Sequence, residues 1–120
     1  MADVGIVGQG YVGLTISMGA ASAGHTIIGF DINNSLVTLL NSGKSHIEGA
    51  RDSQLTEFIS SGNFSASSDP SVLDGCDVIV VAVPTPLDSD RNPDLSFIYA
   101  ACDLINSHVK MPTLIVNEST

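Results

Sequence analysis

Three glycines at the spacing G-x-G-x-x-G lie in the stretch GQGYVG, at residues 8–13. They follow a short apolar run at residues 4–7, which is typical of a buried strand, and they precede a helical pattern. In that setting Gly8 permits a tight turn, Gly10 lets the backbone approach a pyrophosphate, and Gly13 lets the helix pack against the strand. The start of the helix then offers free N–H groups and a partial positive charge to the phosphates. The motif therefore predicts a dinucleotide site.

An acidic residue about 20 positions further on completes this motif in NAD-binding proteins. Asp31 stands there, at the end of a second predicted strand at residues 26–30. Its carboxylate can accept hydrogen bonds from ribose hydroxyls and would repel a 2′-phosphate, and the nearest base that follows it is Lys44. These residues favour NAD over NADP. The alternative is a glycine-rich turn in a parallel α/β protein that binds no dinucleotide.

Polar segments also follow two later strands. Pro84-Thr85-Pro86 ends the apolar run that begins at residue 78, and Glu118-Ser119-Thr120 follows a strand at residues 114–116. Open α/β sheets bind ligands at the carboxyl ends of their strands, so we expect both segments to border the dinucleotide. The two prolines fix the backbone and leave the Thr85 hydroxyl as a rigid polar group. Each segment can also be explained as a plain strand end.

The elements that position these residues alternate along the chain. Helices are predicted after Asn33 or Asn34, from Asp52, and after Asp69-Pro70, each beginning at a residue that commonly caps a helix. A further amphipathic helix has its apolar face at positions 95, 98, 99, 102 and 105. This alternation predicts an α/β fold, a Rossmann-type doubly wound parallel sheet with helices on both faces. We expect residues 1–120 to form one domain.

Composition excludes several classes of partner. The 120 residues carry thirteen acidic and four basic side chains, for a net charge of −9. A chain this acidic is a poor ligand for nucleic acid or an anionic membrane, so any phosphate must be held by backbone N–H groups. Cys76 and Cys102 have no metal-binding spacing, and no signal peptide or membrane-spanning run is present. We therefore expect no metal, no nucleic acid, no membrane and a cytoplasmic location.

Five stretches, in the same order along the chain, resemble the UDP-glucose/GDP-mannose dehydrogenase family: GIVGQGYVGL, GHTIIGFDIN, VIVVAVPTPLD, the DLS that opens a helix, and VNEST. They cover nearly the whole chain, and together they are more specific than the glycine motif alone. The family consists of NAD-dependent enzymes that oxidise the C6 hydroxymethyl of a nucleotide sugar to a carboxylate, which suggests a role in polysaccharide biosynthesis. The stretch HIEGARDSQL departs from the family's usual proline-containing stretch. It looks closer to the branch that acts on N-acetylated UDP-sugars or to other variants.

The resemblance implies a role for each matching position around NAD. The pyrophosphate would be lined by five residues of the glycine motif, namely Gly8, Gly10, Tyr11, Val12 and Gly13. Asp31 would hold the adenosine ribose. The cofactor beyond the phosphates would be bordered by Val83, Pro84 and Thr85.

The same resemblance implies the roles nearest the reaction. Glu118 and Ser119 would lie near the nicotinamide, and Thr120 matches a catalytic threonine that helps to place a water near the reacting centre. One departure concerns the adenosine side, where Leu36 replaces the Lys or Arg that the family usually has. The affinity for NAD would be lower for that reason.

The resemblance also implies what these residues lack. The family reaction takes two hydride transfers and a cysteine that traps the aldehyde, and neither Cys76 nor Cys102 lies in that cysteine's motif. We therefore expect an N-terminal NAD-binding domain that is truncated and does not oxidise a sugar by itself. The nucleotide-sugar substrate would bind through the absent domain, and the full-length enzyme would be a homodimer.

Two other interpretations remain open. A different Rossmann dehydrogenase, of the 3-hydroxy acid or 6-phosphogluconate type, would share the glycine loop, although VPTP followed by EST argues against it. A non-enzymatic NAD-binding module would also fit a chain without the catalytic cysteine.

Overall fold

Five parallel strands form one sheet in the computed structural model, which describes residues 2–48, 50–109 and 112–119. They are β1 (Asp3–Val7), β2 (Thr26–Phe30), β3 (Phe64–Ser67), β4 (Val78–Val81) and β5 (Leu114–Asn117). Their order across the sheet is β3-β2-β1-β4-β5, so the chain runs outward from β1 in one direction and then in the other. This order confirms the doubly wound topology and places the end of β1 at the switch point, where such sheets bind ligands.

Four α-helices connect the strands: α1 (Tyr11–Ser22), α2 (Asn34–Asn41), α3 (Asp52–Ser61) and α4 (Ser96–His108). Asn33 caps α2, because its side-chain oxygen accepts a hydrogen bond from the N–H of Leu36 at 3.2 Å. Asp69 likewise caps a short 3-10 helix (Pro70–Leu73), and the N–H and hydroxyl of Ser71 lower the pKa of its carboxyl. None of the helices in the described ranges is long and apolar enough to cross a membrane.

Strand β3 is the element that the sequence analysis missed. It pairs with β2, from Ile27 opposite Phe64 to Phe30 opposite Ser67. Phe64 and Ala66 are buried, and they alternate with two serines that face outward or lie partly covered. Two apolar residues in a run of four are few, but their period of two is the signal that identifies a half-buried strand.

Apolar side chains cover both faces of the sheet. Residues of α1, α2 and α3 pack with Ile6 and Ile27 in one cluster. Residues of the 3-10 helix and α4 pack with Val7 and Phe30 in a second cluster. Since successive side chains of a strand point to opposite faces, the neighbours Ile6 and Val7 fix these clusters on opposite sides. The predicted helices on both faces are therefore confirmed.

The predicted apolar face of α4 is partly wrong. Tyr99 and Cys102, which belong to the predicted stripe, are exposed, whereas Ala101 is buried together with the partly buried Leu104 and Ile105. The predicted stripe follows the bulky residues, whereas the helix faces the sheet with the small side chain of Ala101. A methyl group at residue 101 lets α4 lie close to the sheet.

We expect Phe64→Ala to destabilise the domain by about 3–5 kcal/mol, because it removes a fully buried aromatic ring and leaves a cavity. Tyr99→Ala is the matched control: its ring is 64% exposed, so the loss should stay within about 0.5 kcal/mol. Urea unfolding followed by circular dichroism measures both. Equal losses for the two variants would contradict the assignment of β3 to the core.

Candidate functional site

The turn that follows β1 packs between the ends of the two strands that flank β1, namely β2 and β4. Gly8 has a φ of +96°, a left-handed conformation that side chains disfavour. Its N–H donates to the carbonyl oxygen of Phe30 at 2.8 Å, at the end of β2. A Cβ on Gly8 would lie 2.6 Å from the carbonyl oxygen of Ala82, just beyond β4. The turn therefore requires glycine for its backbone angle and for its close approach to β4.

Helix α1 starts directly after this turn. Gly10 is its N-cap residue and has no side chain to bond the first N–H groups. The first helical hydrogen bond runs from the N–H of Leu14 to the carbonyl of Gly10 at 3.0 Å, so the N–H groups of Tyr11 and Val12 precede the helical ladder. These groups, with the positive end of the helix dipole, form an anion-binding terminus.

The three glycines of the motif are needed for different reasons. A Cβ on Gly13 would overlap the carbonyl oxygen of Gly8, and a Cβ on Gly8 would meet Ala82, so contacts within the protein explain both. A Cβ on Gly10 would meet no atom within 4 Å. Since the protein leaves open space there, the absence of a side chain at Gly10 fits the close approach of a ligand's phosphates.

Asp31 ties this turn to the end of β2. Its Oδ2 accepts a hydrogen bond from the N–H of Gln9, and its Oδ1 accepts one from the N–H of Asn33, both at 2.9 Å. The two bonds fix the plane of the carboxylate and leave lone pairs on each oxygen. The carboxylate is therefore oriented before any ribose hydroxyl approaches it.

Gln9 is a buried polar residue that the sequence analysis did not single out. Its side-chain nitrogen donates to the carbonyls of Ile6 and Gly8, both at 3.1 Å, and its oxygen lies 3.2 Å from the Ser17 hydroxyl, which can donate to it. A Cβ on Gly29 would lie 2.6 Å from the Gln9 amide carbon, so β2 makes room for this side chain. In the motif G-x-G-x-x-G, Gln9 is the first x, which can be any residue. The motif therefore does not predict that the Gln9 side chain is buried.

A cavity of about 490 Å³ opens at this edge of the sheet, within the size range of small-molecule sites. Nine residues predicted to bind the cofactor line it: Gly8, Gly10, Tyr11, Val12, Asp31, Val83, Pro84, Glu118 and Ser119. Gly13 lies behind the turn and Thr85 is partly buried, and neither lines the wall. Thr120 lies outside the described residues.

Most of the remaining wall is apolar and was not predicted. It consists of Val7, Phe30, Ile32, Asn33, Ala82, Phe97, Ala100, Ala101 and Leu104, together with Leu36, the position of the expected base. The apolar residues of α4 carry no motif, so only the fold brings them to the cavity. Among the described wall residues, Asp31 and Glu118 carry the formal charges, and both are acidic. An anion bound here must therefore rely on N–H groups and the helix dipole.

The spacing of the strands matches an extended ligand. Asp31 follows β2, the glycine turn follows β1, and Val83 and Glu118 follow β4 and β5. Neighbouring strands lie about 4.8 Å apart, so the ends of β2 and β5 are separated by about 14 Å. A dinucleotide can thus place its ribose at Asp31 and its pyrophosphate above the glycine turn, with its far end toward β4 and β5.

Neither cysteine contributes a thiol to the described wall of the cavity. Burial raises the pKa of the Cys76 thiol, and the carboxylates of Asp3, Asp77 and Asp74 add to the rise. Cys102 is exposed on α4, and neither thiol lines the cavity. No group of three or more metal-ligating side chains occurs within the described ranges. The described wall of the cavity therefore offers no thiolate.

Comparison with known proteins gives a consistent result. The sequence model of the NAD-binding domain of the UDP-glucose/GDP-mannose dehydrogenase family matches residues 2–120. An NDP-N-acetyl-D-galactosaminuronic acid dehydrogenase from Ralstonia nicotianae is 37% identical over 118 residues, which are 98% of this chain and 27% of that protein. A UDP-N-acetyl-D-mannosamine dehydrogenase from Pyrococcus horikoshii is 33% identical over 98% of this chain and 28% of its own length.

Solved structures of nucleotide-sugar dehydrogenases share the fold of this chain. The Pyrococcus horikoshii enzyme superposes with a TM-score of 0.92, over 98% of this chain and 28% of that one. A UDP-glucose dehydrogenase from Pyrobaculum islandicum gives 0.90 at 32% identity, over 100% of this chain and 29% of that one. A 3-hydroxybutyryl-CoA dehydrogenase gives 0.65 at 18% identity and shares the fold alone. This chain spans between a quarter and a third of the length of the curated relatives it matches.

The glycines give a stability test. We expect Gly13→Ala to cost about 1–3 kcal/mol, because its methyl group must displace the Gly8 carbonyl. Gly10→Ala meets open space and should cost less than about 1 kcal/mol, the loss typical of alanine at an N-cap. Thermal unfolding measures both, and a Gly10→Ala variant as unstable as Gly13→Ala would show that Gly10 is required by the fold.

Proposed function

The chain belongs to the UDP-glucose/GDP-mannose dehydrogenase family, whose NAD-binding domain matches residues 2–120, and from that premise we propose that Gly10, Asp31 and the start of α1 hold NAD for a nucleotide-sugar 6-dehydrogenase. The observation that carries the proposal is the open space at Gly10. It lies at the free N-terminus of α1, in the same cavity as the fixed carboxylate of Asp31. The pyrophosphate would occupy that space and accept hydrogen bonds from N–H groups of the first helical turn.

Asp31 would bind the ribose hydroxyls and exclude NADP. Both carboxylate oxygens already accept backbone N–H bonds at 2.9 Å, so the group cannot rotate away from a 2′-phosphate without breaking them. No Lys or Arg of the described wall could neutralise that phosphate. The Asp31 carboxylate would therefore repel the 2′-phosphate of NADP, a group that NAD does not have.

The substrate we propose is a UDP-linked sugar, with an N-acetylated sugar favoured by the names of the relatives from Ralstonia nicotianae and Pyrococcus horikoshii. The enzyme would oxidise its C6 hydroxymethyl to a carboxylate in two steps. NAD, when bound, supplies the hydride acceptor for each step. The residues of this chain would orient the cofactor, and Thr120 would help to place a water at the reacting centre.

Sugar oxidation would also need groups that the described cavity does not supply. Cys76 is buried with a raised pKa, and Cys102 lies on an exposed part of α4, so neither thiol can trap an aldehyde beside the cofactor. We propose that the 120 residues alone bind NAD without oxidising a sugar, and that the whole enzyme is a cytoplasmic homodimer. Steady formation of NADH from NAD and a UDP-sugar by this chain alone would contradict the first part.

Calorimetric titration tests the cofactor site. We expect saturable binding of NAD, much weaker binding of NADP, and a stabilisation of about 2.7 kcal/mol when NAD is at about 100 times its dissociation constant. Gly10→Ala should keep its fold and bind NAD at least about tenfold more weakly, since the methyl group fills the space of the pyrophosphate. Asp31→Ala should lose NAD binding while remaining folded.

Asp103→Ala is the matched control, because this exposed carboxylate of α4 does not line the cavity and its loss should leave NAD affinity unchanged. The proposal is wrong if Gly10→Ala binds NAD as tightly as the unmodified chain, or if neither dinucleotide binds to a folded chain.

A further inference from the structure

The peptide unit that joins Gly8 to Gln9 is held on both sides. Its carbonyl oxygen accepts a hydrogen bond from the side-chain nitrogen of Gln9 at 3.1 Å, and its N–H donates to Oδ2 of Asp31 at 2.9 Å. Because a trans peptide unit is planar, its oxygen and its N–H point in opposite directions. The two bonds therefore fix the rotation of this unit between its neighbours.

The rotation of this unit determines what the Asp31 carboxylate meets. The Gly8 oxygen now lies against the first turn of α1, where a Cβ on Gly13 would overlap it. A flipped unit would point this oxygen at the Asp31 carboxylate, which lines the cavity, and would leave that carboxylate without the N–H of Gln9. Repulsion between the two acceptors would then move the carboxylate from the position that we assign to the ribose.

The Gln9 side chain that holds this unit is completely buried. Its nitrogen uses a second hydrogen for the carbonyl of Ile6 at 3.1 Å, and its oxygen lies 3.2 Å from the Ser17 hydroxyl of α1. Both donors of the amide are thus used, and a buried amide that turned away would lose these bonds with no water to replace them. The side chain connects the end of β1, the turn and α1.

Strand β2 leaves space for this amide at Gly29. A Cβ there would lie 2.6 Å from Cδ and 2.7 Å from Oε1 of Gln9, and the three atoms nearest to it all belong to Gln9. Gly29 is not among the glycines with a positive φ, so its backbone conformation does not require glycine. The side chain of Gln9 is therefore what explains glycine at this position.

We propose that Gln9 is a positioning residue for the dinucleotide: its buried amide fixes the rotation of the Gly8–Gln9 peptide unit and, through the N–H of that unit, the carboxylate of Asp31. Gly29 belongs to the same arrangement, because it gives the amide its place. Neither Gln9 nor Gly29 lines the cavity, so both would act on the ligand through other residues. The inference rests on the proposed function, since it concerns the affinity for the dinucleotide that Asp31 would hold.

Gly29→Ala tests the inference without removing any hydrogen-bonding group. Its methyl group should displace the Gln9 amide, weaken NAD binding at least about fivefold in calorimetry, and speed hydrogen exchange at the backbone N–H of Gln9. Gly5→Ala is the matched control, because it adds the same methyl group to β1, 2.8 Å from Cδ2 of Leu73 in the cluster on the opposite face of the sheet. It should leave the affinity for NAD and the exchange at Gln9 unchanged.

A double substitution tests whether Gly29 acts through Gln9. Gln9→Ala should weaken NAD binding at least about fivefold, since the Gly8 carbonyl loses its donor. Adding Gly29→Ala to Gln9→Ala should change the affinity less than about twofold, because the side-chain atoms that the methyl group would meet are gone. Gln9→Met fills the same space without a donor, so it keeps the core packed and should bind NAD as weakly as Gln9→Ala.

The outcomes separate this inference from the proposed function. A folded Gly29→Ala variant that binds NAD as tightly as the unmodified chain would overturn the inference alone. The same holds if Gly5→Ala loses as much affinity, or if Gly29→Ala causes the same loss with and without the Gln9 side chain. A folded, unmodified chain that binds neither NAD nor NADP would overturn the proposed function and this inference with it.

Discussion

The packing of Gly8 between the ends of β2 and β4 is the constraint on which the rest of the site depends. Its N–H bonds to Phe30, and its missing side chain admits the Ala82 carbonyl. Because the turn is held on both sides, α1 begins at once and directs its first N–H groups to the carboxyl edge of the sheet. The buried side-chain amide of Gln9 donates to the carbonyl of Ile6, and the carboxylate of Asp31, at the end of β2, accepts the backbone N–H of Gln9. Both bonds stabilise this turn. The ribose and pyrophosphate positions are therefore set by one connected group of hydrogen bonds.

This construction explains how a chain with a net charge of −9 can belong to a family that binds an anionic cofactor. Fixed N–H groups and a helix dipole act over a short range, so they favour a phosphate above Gly10 without an attractive charge on the surface. The charged side chains of the described wall, Asp31 and Glu118, flank this position. The apolar remainder of the wall suits the flat rings of a dinucleotide. The described wall holds no thiol, and the chain spans 27–28% of the length of these two relatives.

Much of this architecture could be predicted from the sequence, because glycine and aspartate have steric and electrostatic roles that spacing alone reveals. The parallel sheet followed from the alternation of elements, and of the two caps predicted for α2, Asn33 or Asn34, the structure uses Asn33. Strand β3 was missed because two serines dilute its apolar pattern, and the face of α4 was misjudged because Ala101, not a bulky residue, meets the sheet. The burial of Gln9 and the bonds of Asp31 to the turn depend on how β1 and β2 lie together. The bond from the N–H of Gln9 to the carboxylate of Asp31 joins residues 22 positions apart, which no local pattern encodes.

The most direct test is a titration of the isotopically labelled chain with NAD, followed by the backbone amide signals in NMR spectra. We expect the largest shifts at Gly10, Tyr11 and Val12, where the pyrophosphate would accept hydrogen bonds, with a second group at residues 31–36. Amides on the exposed side of α3 should not move. Saturable binding that shifts amides elsewhere and leaves the start of α1 unchanged would show that the cofactor does not use the space that Gly10 keeps open.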